Sequence, residues 1–316
     1  MRKLVACSIA IILGAVPLAR AETLKLAIPQ KGAWDTSFSV YGDRQGFFKE
    51  QGLELEITYT EGGATTETAV ISGSVDVAVA TGTLGIVSAY TKSAPVRIIS
   101  AESTGAADLY YYAKAGTGIK SIKDLKGKSI GFSAPGSSSN LALLTLLHEN
   151  GVTDAKVVPA GAAPGTYTQV MSGQLDAGWA PVPFGLQDIK DGKIVVIGQA
   201  NDSPDVRNET IRVNVVNLDS LKKNRDAIVR FMKAYYKSYQ WAYSDPKAID
   251  YLATDNNISH DLAASAVKDF LKKEANDPYR ISGIQRVLDE ALAAKRIPTA
   301  MKEDDVKGMF DIVWKP

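Results

Sequence analysis

Apolar and polar residues follow two alternating periods along the chain, and these periods predict strands and helices in turn. Segments with the period of a β-strand in the first third of the chain are 24–28, 53–59, 75–80 and 96–100. Segments with helical spacing between them are 41–51, 67–71 and 84–92. Strands that alternate with helices predict mostly parallel sheets with helices on both faces.

The same order of elements returns in the middle of the chain. Predicted strands here are 129–133 and 156–159, with a short helix and turn over 122–128 and helices over 141–149 and 167–171. A short motif marks the repeat, because SGSVDVAVAT at 72–81 and SGQLDAGWAP at 172–181 both read as a helix end, a turn, an Asp and an apolar strand. The sequence therefore predicts two similar α/β units, and we interpret Asp76 and Asp176 as turn and strand-start residues.

Loops that follow the predicted strands are the expected place for a ligand, since open α/β sheets bind ligands beyond the carboxyl ends of their strands. These loops cover residues 34–37, 81–83, 102–104, 135–140 and 179–184. Two such rims that face each other would form a cleft. From this placement we predict nine ligand contacts, namely Trp34, Thr36, Thr81, Thr83, Ser103, Ser137, Ser138, Ser139 and Trp179. Arg212 is a tenth, because it lies where the chain is expected to cross back to the first unit.

Each kind of candidate residue has a structural alternative. Residues 137–139 can present backbone N–H groups of a helix start to an anion, or can simply cap that helix, and residues 81–83 allow the same two interpretations. Trp34 and Trp179 can contact an organic ligand or pack in a core. Arg212 can face the cleft or solvent, and an aromatic stripe from Phe231 to Trp241 has the spacing of a packing surface.

The first 21 residues have the pattern of a secretory signal peptide. Arg2 and Lys3 precede an apolar run over 4–16, which is too short to span a membrane, and Ala19-Arg20-Ala21 predicts cleavage after Ala21. A lipid anchor at Cys7 is disfavoured, because a lipoprotein box follows the apolar run instead of opening it. We therefore expect an exported, periplasmic protein.

Composition and charge argue against several functions. Without Arg2, Lys3 and Arg20, 33 basic residues remain of 36, against 35 acidic ones, so the mature chain has a net charge of −2 and no expected nucleic-acid partner. The single cysteine of the full chain is in the leader, and the two histidines are far apart in the sequence. We therefore predict no metal site, no cofactor and no enzymatic activity. Gly127-Lys128-Ser129 precedes its strand and lacks the first glycine of a phosphate-binding loop.

Four segments carry a resemblance to a known family. They are Gly46-Phe47-Phe48-Lys49-Glu50-Gln51-Gly52-Leu53-Glu54-Leu55, Ser72-Gly73-Ser74-Val75-Asp76, Asp124-Leu125-Lys126-Gly127-Lys128-Ser129-Ile130-Gly131 and Ser172-Gly173-Gln174-Leu175-Asp176-Ala177. In these segments the chain resembles the extracytoplasmic substrate-binding proteins of ABC importers. The most similar group is the nitrate, sulfonate and taurine type, which shares its fold with thiamine-pyrimidine-precursor proteins.

The resemblance implies a two-lobed α/β periplasmic-binding-protein fold of type II, with two mixed, mostly parallel sheets flanked by helices and two hinge crossovers. We place the first lobe at 22–109 and 216–316, the second at 114–207, and the crossovers at 110–113 and 208–215. The implied function is that of a monomeric receptor that binds a small-molecule solute and delivers it, in a transient contact, to an ABC permease in the inner membrane.

Two functions of different kinds stay open at this point. One is the solute receptor, and the other is an enzyme on the same fold, of the pyrimidine-precursor or menaquinone-pathway type, which the leader and the missing cysteine disfavour. For a receptor, helix starts and hydroxyls in the rim loops suit an oxyanion, whereas Trp34, Trp179 and Phe184 suit an organic body. A sulfonate or taurine-like organic anion fits both, while nitrate, bicarbonate and a pyrimidine or aromatic solute are the alternatives.

Overall fold

A computed structural model describes residues 21–60 and 62–316 of the chain. The predicted leader, with Cys7, thus lies outside the described residues apart from Ala21. The strands are β1 (Glu22–Ile28), β2 (Leu53–Tyr59), β3 (Val77–Gly82), β4 (Val96–Thr104), β5 (Leu109–Lys114), β6 (Ser129–Phe132), β7 (Lys156–Pro159), β8 (Ala177–Pro181), β9 (Ile194–Gln199) and β10 (Thr210–Asn217).

The helices separate and cover these strands. They are α1 (Phe38–Arg44), α2 (Phe47–Glu50), α3 (Gly63–Ile71), α4 (Thr83–Thr91), α5 (Ser138–Glu149), α6 (Ala163–Met171), α7 (Leu186–Lys190), α8 (Pro204–Arg207), α9 (Leu218–Lys223), α10 (Arg225–Ala242), α11 (Lys247–Asn256), α12 (His260–Asp269) and α13 (Ile284–Ala293). Short 3₁₀ turns cover Asp35–Ser37, Ile122–Leu125, Ala200–Asp202, Lys273–Asn276 and Glu303–Met309. None of the described helices combines the length and the apolar character needed to cross a membrane.

The strands form two five-stranded sheets of the same design. The first has the order β2-β1-β3-β10-β4 and the second the order β7-β6-β8-β5-β9. In each sheet the fourth strand, β10 or β5, runs antiparallel to both of its neighbours. We call the first sheet with the helices on it the first lobe, and the second sheet with its helices the second lobe. The predicted fold class, two mixed sheets flanked by helices in a type II binding-protein arrangement, is confirmed.

The repeated Ser-Gly-x-x-Asp motif has the same structural task in each lobe. Asp76 Oδ2 accepts a hydrogen bond from the Lys25 backbone N–H at 2.9 Å, near the start of β1. Asp176 Oδ2 accepts from the Ser129 backbone N–H at 2.8 Å, at the start of β6. Each carboxylate thus joins the turn before one strand to the beginning of its neighbour, which is why the motif occurs once per sheet.

The chain passes from the first sheet to the second and back again. The predicted crossovers at 110–113 and 208–215 are displaced from these passages, because residues 109–114 form β5, which is paired on both sides. Residues 210–217 form β10, also paired on both sides. The passages are therefore 105–108 and 200–209, and they touch where the Gly105 N–H donates to the Glu209 carbonyl at 2.8 Å.

Two predicted rim loops are also replaced by regular structure. The predicted loop 81–83 is absent, since β3 runs to Gly82 and α4 begins at Thr83. Trp179 lies within β8 instead of the loop after it, because the strand continues to Pro181. Both differences have one cause, which is that the apolar runs stay paired in the sheet for a few residues longer than their pattern indicates.

Aromatic side chains fill much of the first lobe between its sheet and α10. Phe231 and Tyr235 on α10 are fully buried, and the ring of Phe38 packs edge-on against Tyr235 at a centroid distance of 6.1 Å. This confirms α10 as a packing surface. The ring of Trp34 joins the same cluster, 5.4 Å from the ring of Tyr243.

Candidate functional site

A small cavity with both polar and apolar lining residues lies between the lobes at the carboxyl ends of strands from both sheets. Its walls include Gln30 after β1, Gly82 at the end of β3, Ser133 after β6 and Pro181 at the end of β8. Its volume is about 50 Å³, room for about four water molecules at 10–15 Å³ each. We call it the inner cavity. It lies where an open α/β sheet is expected to bind a ligand, here with two sheets contributing to one site.

A second cavity adjoins the inner one and leads outward. It has a volume of about 190 Å³ and shares Pro29, Gln30, Ala33 and Pro181 with the inner cavity. Phe184 and Lys31 also line it. This outer cavity gives a solute whose head occupies the inner cavity room for a longer body.

Arg212 on β10 joins three segments across the inner cavity. Its Nη1 lies 2.6 Å from Asp35 Oδ2 of the first lobe, and its Nη2 lies 2.9 Å from Asp108 Oδ2 at the end of the first passage. Its Nε donates to Ser138 Oγ of the second lobe at 3.0 Å. The side chains of Arg212, Asp35 and Asp108 are all less than 10% exposed, so these contacts are shielded from water. The guanidinium therefore ties the lobes together at the cavity wall.

Burial and charge shift the protonation equilibria of this cluster. Burial raises the pKa of the Asp108 carboxyl above its ordinary value, Arg212 opposes this, and the negative charge of Asp35 adds to it. Burial lowers the pKa of Arg212, but the charges and hydrogen bonds of Asp108 and Asp35 outweigh burial and raise that pKa overall. Arg212 thus stays a cation, while Asp108 is less acidic than an exposed aspartate.

A second buried carboxyl group lies behind the cavity wall. Glu102 on β4 is 1% exposed, and its Oε2 accepts hydrogen bonds from the Asn214 amide and the Tyr235 hydroxyl. Burial, followed by the charge of Asp35, raises the pKa of Glu102 well above its ordinary value, which favours the neutral form. The same Asn214 accepts from the backbone N–H of Ala80 at 3.0 Å, and Ala80 lines the inner cavity. Glu102 thereby supports the cavity wall without contacting a solute.

Helix α5 begins at the inner cavity. Its N-cap residue Ser137 accepts a hydrogen bond from the Asn140 backbone N–H, and Ser138 is the first helical residue. The first N–H groups of a helix have no intrahelical acceptor, and the helix dipole is positive at this end. This edge of the cavity is therefore the part best suited to an anionic group.

The two lobes also touch through backbone atoms beside the cavity. The Gly85 N–H of α4 donates to the Gly136 carbonyl at 3.1 Å. A Cβ atom on Gly82 would meet that carbonyl oxygen at 2.4 Å and Ser137 Cα at 2.9 Å. Glycine at position 82 therefore allows the lobes to approach this closely.

The ten predicted ligand contacts divide into two groups. Those that line the inner cavity are Thr36, Ser137, Ser138, Trp179 and Arg212. Trp179 is 6% exposed, and its indole N–H donates to the Gly161 carbonyl at 3.3 Å, so its ring is held as a fixed wall. For Arg212 the structure favours the cleft over solvent.

The second group lies away from the inner cavity and makes structural contacts. Trp34 is fully buried in the aromatic cluster, the alternative that the sequence had left open. Thr81 and Thr83 donate to the carbonyls of Val213 and Thr210, because the predicted loop between them is replaced by strand and helix. The remaining hydroxyls also bond within the fold, Ser103 to the Gly105 carbonyl and Ser139 to Ser133.

Asp35 and Asp108 are the site residues that the sequence analysis missed. Asp35 lies in the predicted rim loop 34–37, where the tryptophan and threonine drew attention instead. Asp108 follows β4 in the first passage, and nothing local marks it as the partner of an arginine 104 positions later. Within the described residues no group of three or more His, Cys, Asp or Glu side chains is arranged to hold a metal ion.

Known proteins share this architecture. The chain superimposes on the periplasmic aliphatic sulphonate binding protein SsuA from Escherichia coli with a TM-score of 0.68, at 17% identity over 93% of this chain and 92% of that one. It superimposes on the alkanesulfonate-binding protein SsuA from Xanthomonas axonopodis pv. citri, bound to MOPS, with a TM-score of 0.74, at 15% identity over 90% and 96%. For the periplasmic nitrate-binding protein NrtA from Synechocystis PCC 6803 the TM-score is 0.75, at 12% identity over 92% and 86%.

At these identities the superpositions show the fold. A search of curated protein sequences finds no significant match. The profile of the NMT1/THI5 like family, however, matches residues 35–249, which is more than half of the chain and includes Asp35, Asp108, Trp179 and Arg212. The chain therefore belongs to the NMT1/THI5 like family.

Proposed function

We propose that the protein is the solute receptor of an ABC import system, and that it binds a small organic anion, sulfonate or taurine-like, between its lobes. The observation that carries this proposal is the inner cavity, a small space walled by the strand ends of both sheets and bridged by Arg212. Such a site forms when two lobes close on a solute, and it separates again when the passages at 105–108 and 200–209 bend.

The organic anion is supported by two edges of the site. The start of α5 at Ser137 and Ser138 offers N–H donors and a positive dipole end to an acidic group. Trp179, Pro181 and Phe184 offer apolar area along the way from the inner to the outer cavity. Neighbours with this fold include sulfonate-binding and nitrate-binding proteins, which agrees with an acidic solute.

The alternative of an enzyme on this fold lacks support at the cavity. The residues that line the inner cavity within the described chain include no cysteine and no histidine. Arg212, Asp35 and Asp108 are engaged with one another, so none of them is placed as a free general base or nucleophile. A receptor needs no such group, since it binds and releases its solute unchanged.

Export to the periplasm, a monomeric state and transient docking to an inner-membrane permease belong to the same proposal. Periplasmic extracts should contain a chain that begins at Glu22. A chain that keeps its leader and stays in the cytoplasm would contradict the receptor function.

The solute can be identified by a thermal-shift screen followed by calorimetry. The panel contains alkanesulfonates, taurine, MOPS, short carboxylates, bicarbonate, nitrate and pyrimidines. A solute that binds only the folded protein raises its melting temperature by mass action. At a solute concentration of 100 times Kd, the free energy of unfolding increases by about 2.7 kcal/mol. An alkanesulfonate, taurine or MOPS that gives the largest shift supports the proposal. Nitrate or bicarbonate as the best binder would contradict an organic anion, and conversion of any compound during the assay would contradict a receptor.

A further inference from the structure

The charged groups of the inner cavity are out of balance. Among the described residues that line it, Arg212 is the cation, and it faces two carboxylates, Asp35 and Asp108. With both carboxylates ionised the cluster carries one positive and two negative charges, all on side chains less than 10% exposed. Burying a surplus charge without a partner is costly in a protein interior. The cluster therefore lacks one positive charge.

The geometry of Arg212 makes this deficit specific. Its Nη1 and Nη2 each contact a carboxylate oxygen, and its Nε contacts Ser138 Oγ. A purely anionic solute would add a third negative charge beside these two carboxylates. The guanidinium could not compensate it fully, because it already contacts both of them. Burial, with a smaller contribution from Asp35, raises the pKa of Asp108 against the opposing effect of Arg212, which agrees with one guanidinium shared by two acids.

The other charged groups near the cluster do not supply the missing cation. Glu102 lies behind the wall and favours its neutral form, so it adds no positive charge. Lys31 lines the outer cavity and is exposed to solvent. Two sources of the missing charge remain, a proton on Asp108, whose pKa is raised, and a cationic group of the solute. The solute's cation also supplies a hydrogen-bond donor to both carboxylates, which a single proton cannot do.

We propose, on the basis of the receptor function above, that Asp35 and Asp108 form an amine-binding subsite and that the solute carries a protonated amine in addition to its acidic group. The ammonium donates to the two carboxylates, while the acid lies at the start of α5 beside Ser138. Because Asp108 and Ser138 contact the same guanidinium, the two charges of the solute are separated by a short chain of a few bonds. The solute class is thus a small zwitterionic amino acid or amino sulfonate.

Matched pairs of probes test this subsite by calorimetry on the mature protein. The pairs are taurine with ethanesulfonate and β-alanine with propionate, and propylamine serves as an amine without an acid. We expect the amino member of at least one pair to bind at least tenfold more tightly than its partner. Equal or tighter binding of ethanesulfonate or propionate would overturn the amine subsite and leave the receptor standing. Propylamine binding as tightly as the zwitterions would remove the organic anion from the proposed function but keep the subsite.

A variant separates the subsite from general damage. In Asp108→Asn we expect the amino member to lose at least tenfold in affinity and its acid-only partner to gain, because Arg212 then has fewer negative neighbours. Ser138→Ala is the control, and it should weaken both members of a pair by the same factor. Equal losses for both members in Asp108→Asn would mean that Asp108 only positions Arg212, and would overturn the proposal. The comparison in the unaltered protein decides the matter if the variant does not fold, and no binding by any probe, including the full solute panel, would contradict the receptor function itself.

Discussion

Closure of the lobes depends on the missing side chain of Gly82, and Gly82→Ala should weaken solute binding without unfolding either lobe. The added methyl carbon would lie 2.4 Å from the Gly136 carbonyl oxygen, whereas ordinary contacts of this kind are near 3.5 Å. The methyl carbon is fixed to the Cα of residue 82 and the oxygen belongs to the backbone of Gly136, so neither can turn away. The lobes must therefore separate by about 1 Å at this point.

The cost of that separation can be worked out from the contacts beside it. The hydrogen bond from the Gly85 N–H to the Gly136 carbonyl is lost, which removes about 1 kcal/mol. The strain of an extra methyl group in a closely packed contact adds about 1–3 kcal/mol. A total of about 2–4 kcal/mol corresponds to roughly 30- to 900-fold weaker binding.

Calorimetry with the tightest solute of the screen measures this loss, and small-angle scattering at saturation measures the radius of gyration. The matched control is Gly63→Ala, whose methyl would meet Ser137 Cβ across the same contact at 3.8 Å, an ordinary distance. We expect the control to reach the radius of gyration of the unaltered protein at saturation, and Gly82→Ala to keep its melting temperature without solute. Unchanged affinity and an unchanged radius of gyration in Gly82→Ala would show that closure does not bring the two backbones together, and would refute the reasoning.

Three further predictions concern single residues. Trp179→Ala should weaken solute binding more than Ser138→Ala in calorimetry. The ring supplies contact area, whereas an anion at the helix start is held by backbone N–H groups and the dipole, worth about 0.3–1 kcal/mol, which remain when the hydroxyl is removed; the reverse order would indicate a small inorganic ion. Arg212→Met should lower the free energy of unfolding at pH 7 by about 3–5 kcal/mol in urea, since two buried carboxylates lose their cation, and a loss below about 1 kcal/mol would contradict their burial. Burial raises the pKa of Glu209 to about 8, so this group stabilises the fold at low pH, and that stability is lost as the pH rises from about 4.5 through 8. Glu209→Gln should flatten the decline of the free energy of unfolding in urea between about pH 5 and 8.5, and an equally steep decline would assign it to other groups.

Most of the fold could be predicted from local patterns in the sequence. The βα alternation and the two Ser-Gly-x-x-Asp motifs are short-range features, although Asp76 and Asp176 accept hydrogen bonds from residues 51 and 47 positions earlier. The ends of helices and strands were harder to predict, because hydrogen bonding within a sheet decides how far β3 and β8 continue. Residues 110–113 illustrate this, since their place in β5 depends on two distant neighbours.

Only some residues of the candidate site could be predicted from the sequence, for a related reason. Ser137 and Ser138 follow a strand and open a helix, so their place at the rim could be predicted. Asp35 and Arg212 are 177 positions apart, and no local pattern announces that a carboxylate and a guanidinium will meet. Trp34 shows the opposite limit, because a tryptophan in a loop can turn into the core when an aromatic cluster receives it.

The position of β10 in the first sheet also sets the order in which the lobes can be completed during folding. β10 lies between β3 and β4, so without residues 210–217 the strand β4 has no hydrogen-bonded neighbour among the named strands. The second sheet, in contrast, uses strands from one continuous stretch, residues 109–199.

During synthesis, which begins at the N-terminus, the second sheet can thus be completed while the first still lacks β10 between β3 and β4. Unpaired edges of this kind are sites of wrong pairing and aggregation. The first lobe must stay incomplete for more than 100 residues of chain, from the end of β4 at Thr104 to the start of β10 at Thr210. Arg212 lies in the strand that fills this gap, so the step that completes the first sheet also delivers the guanidinium to the cavity.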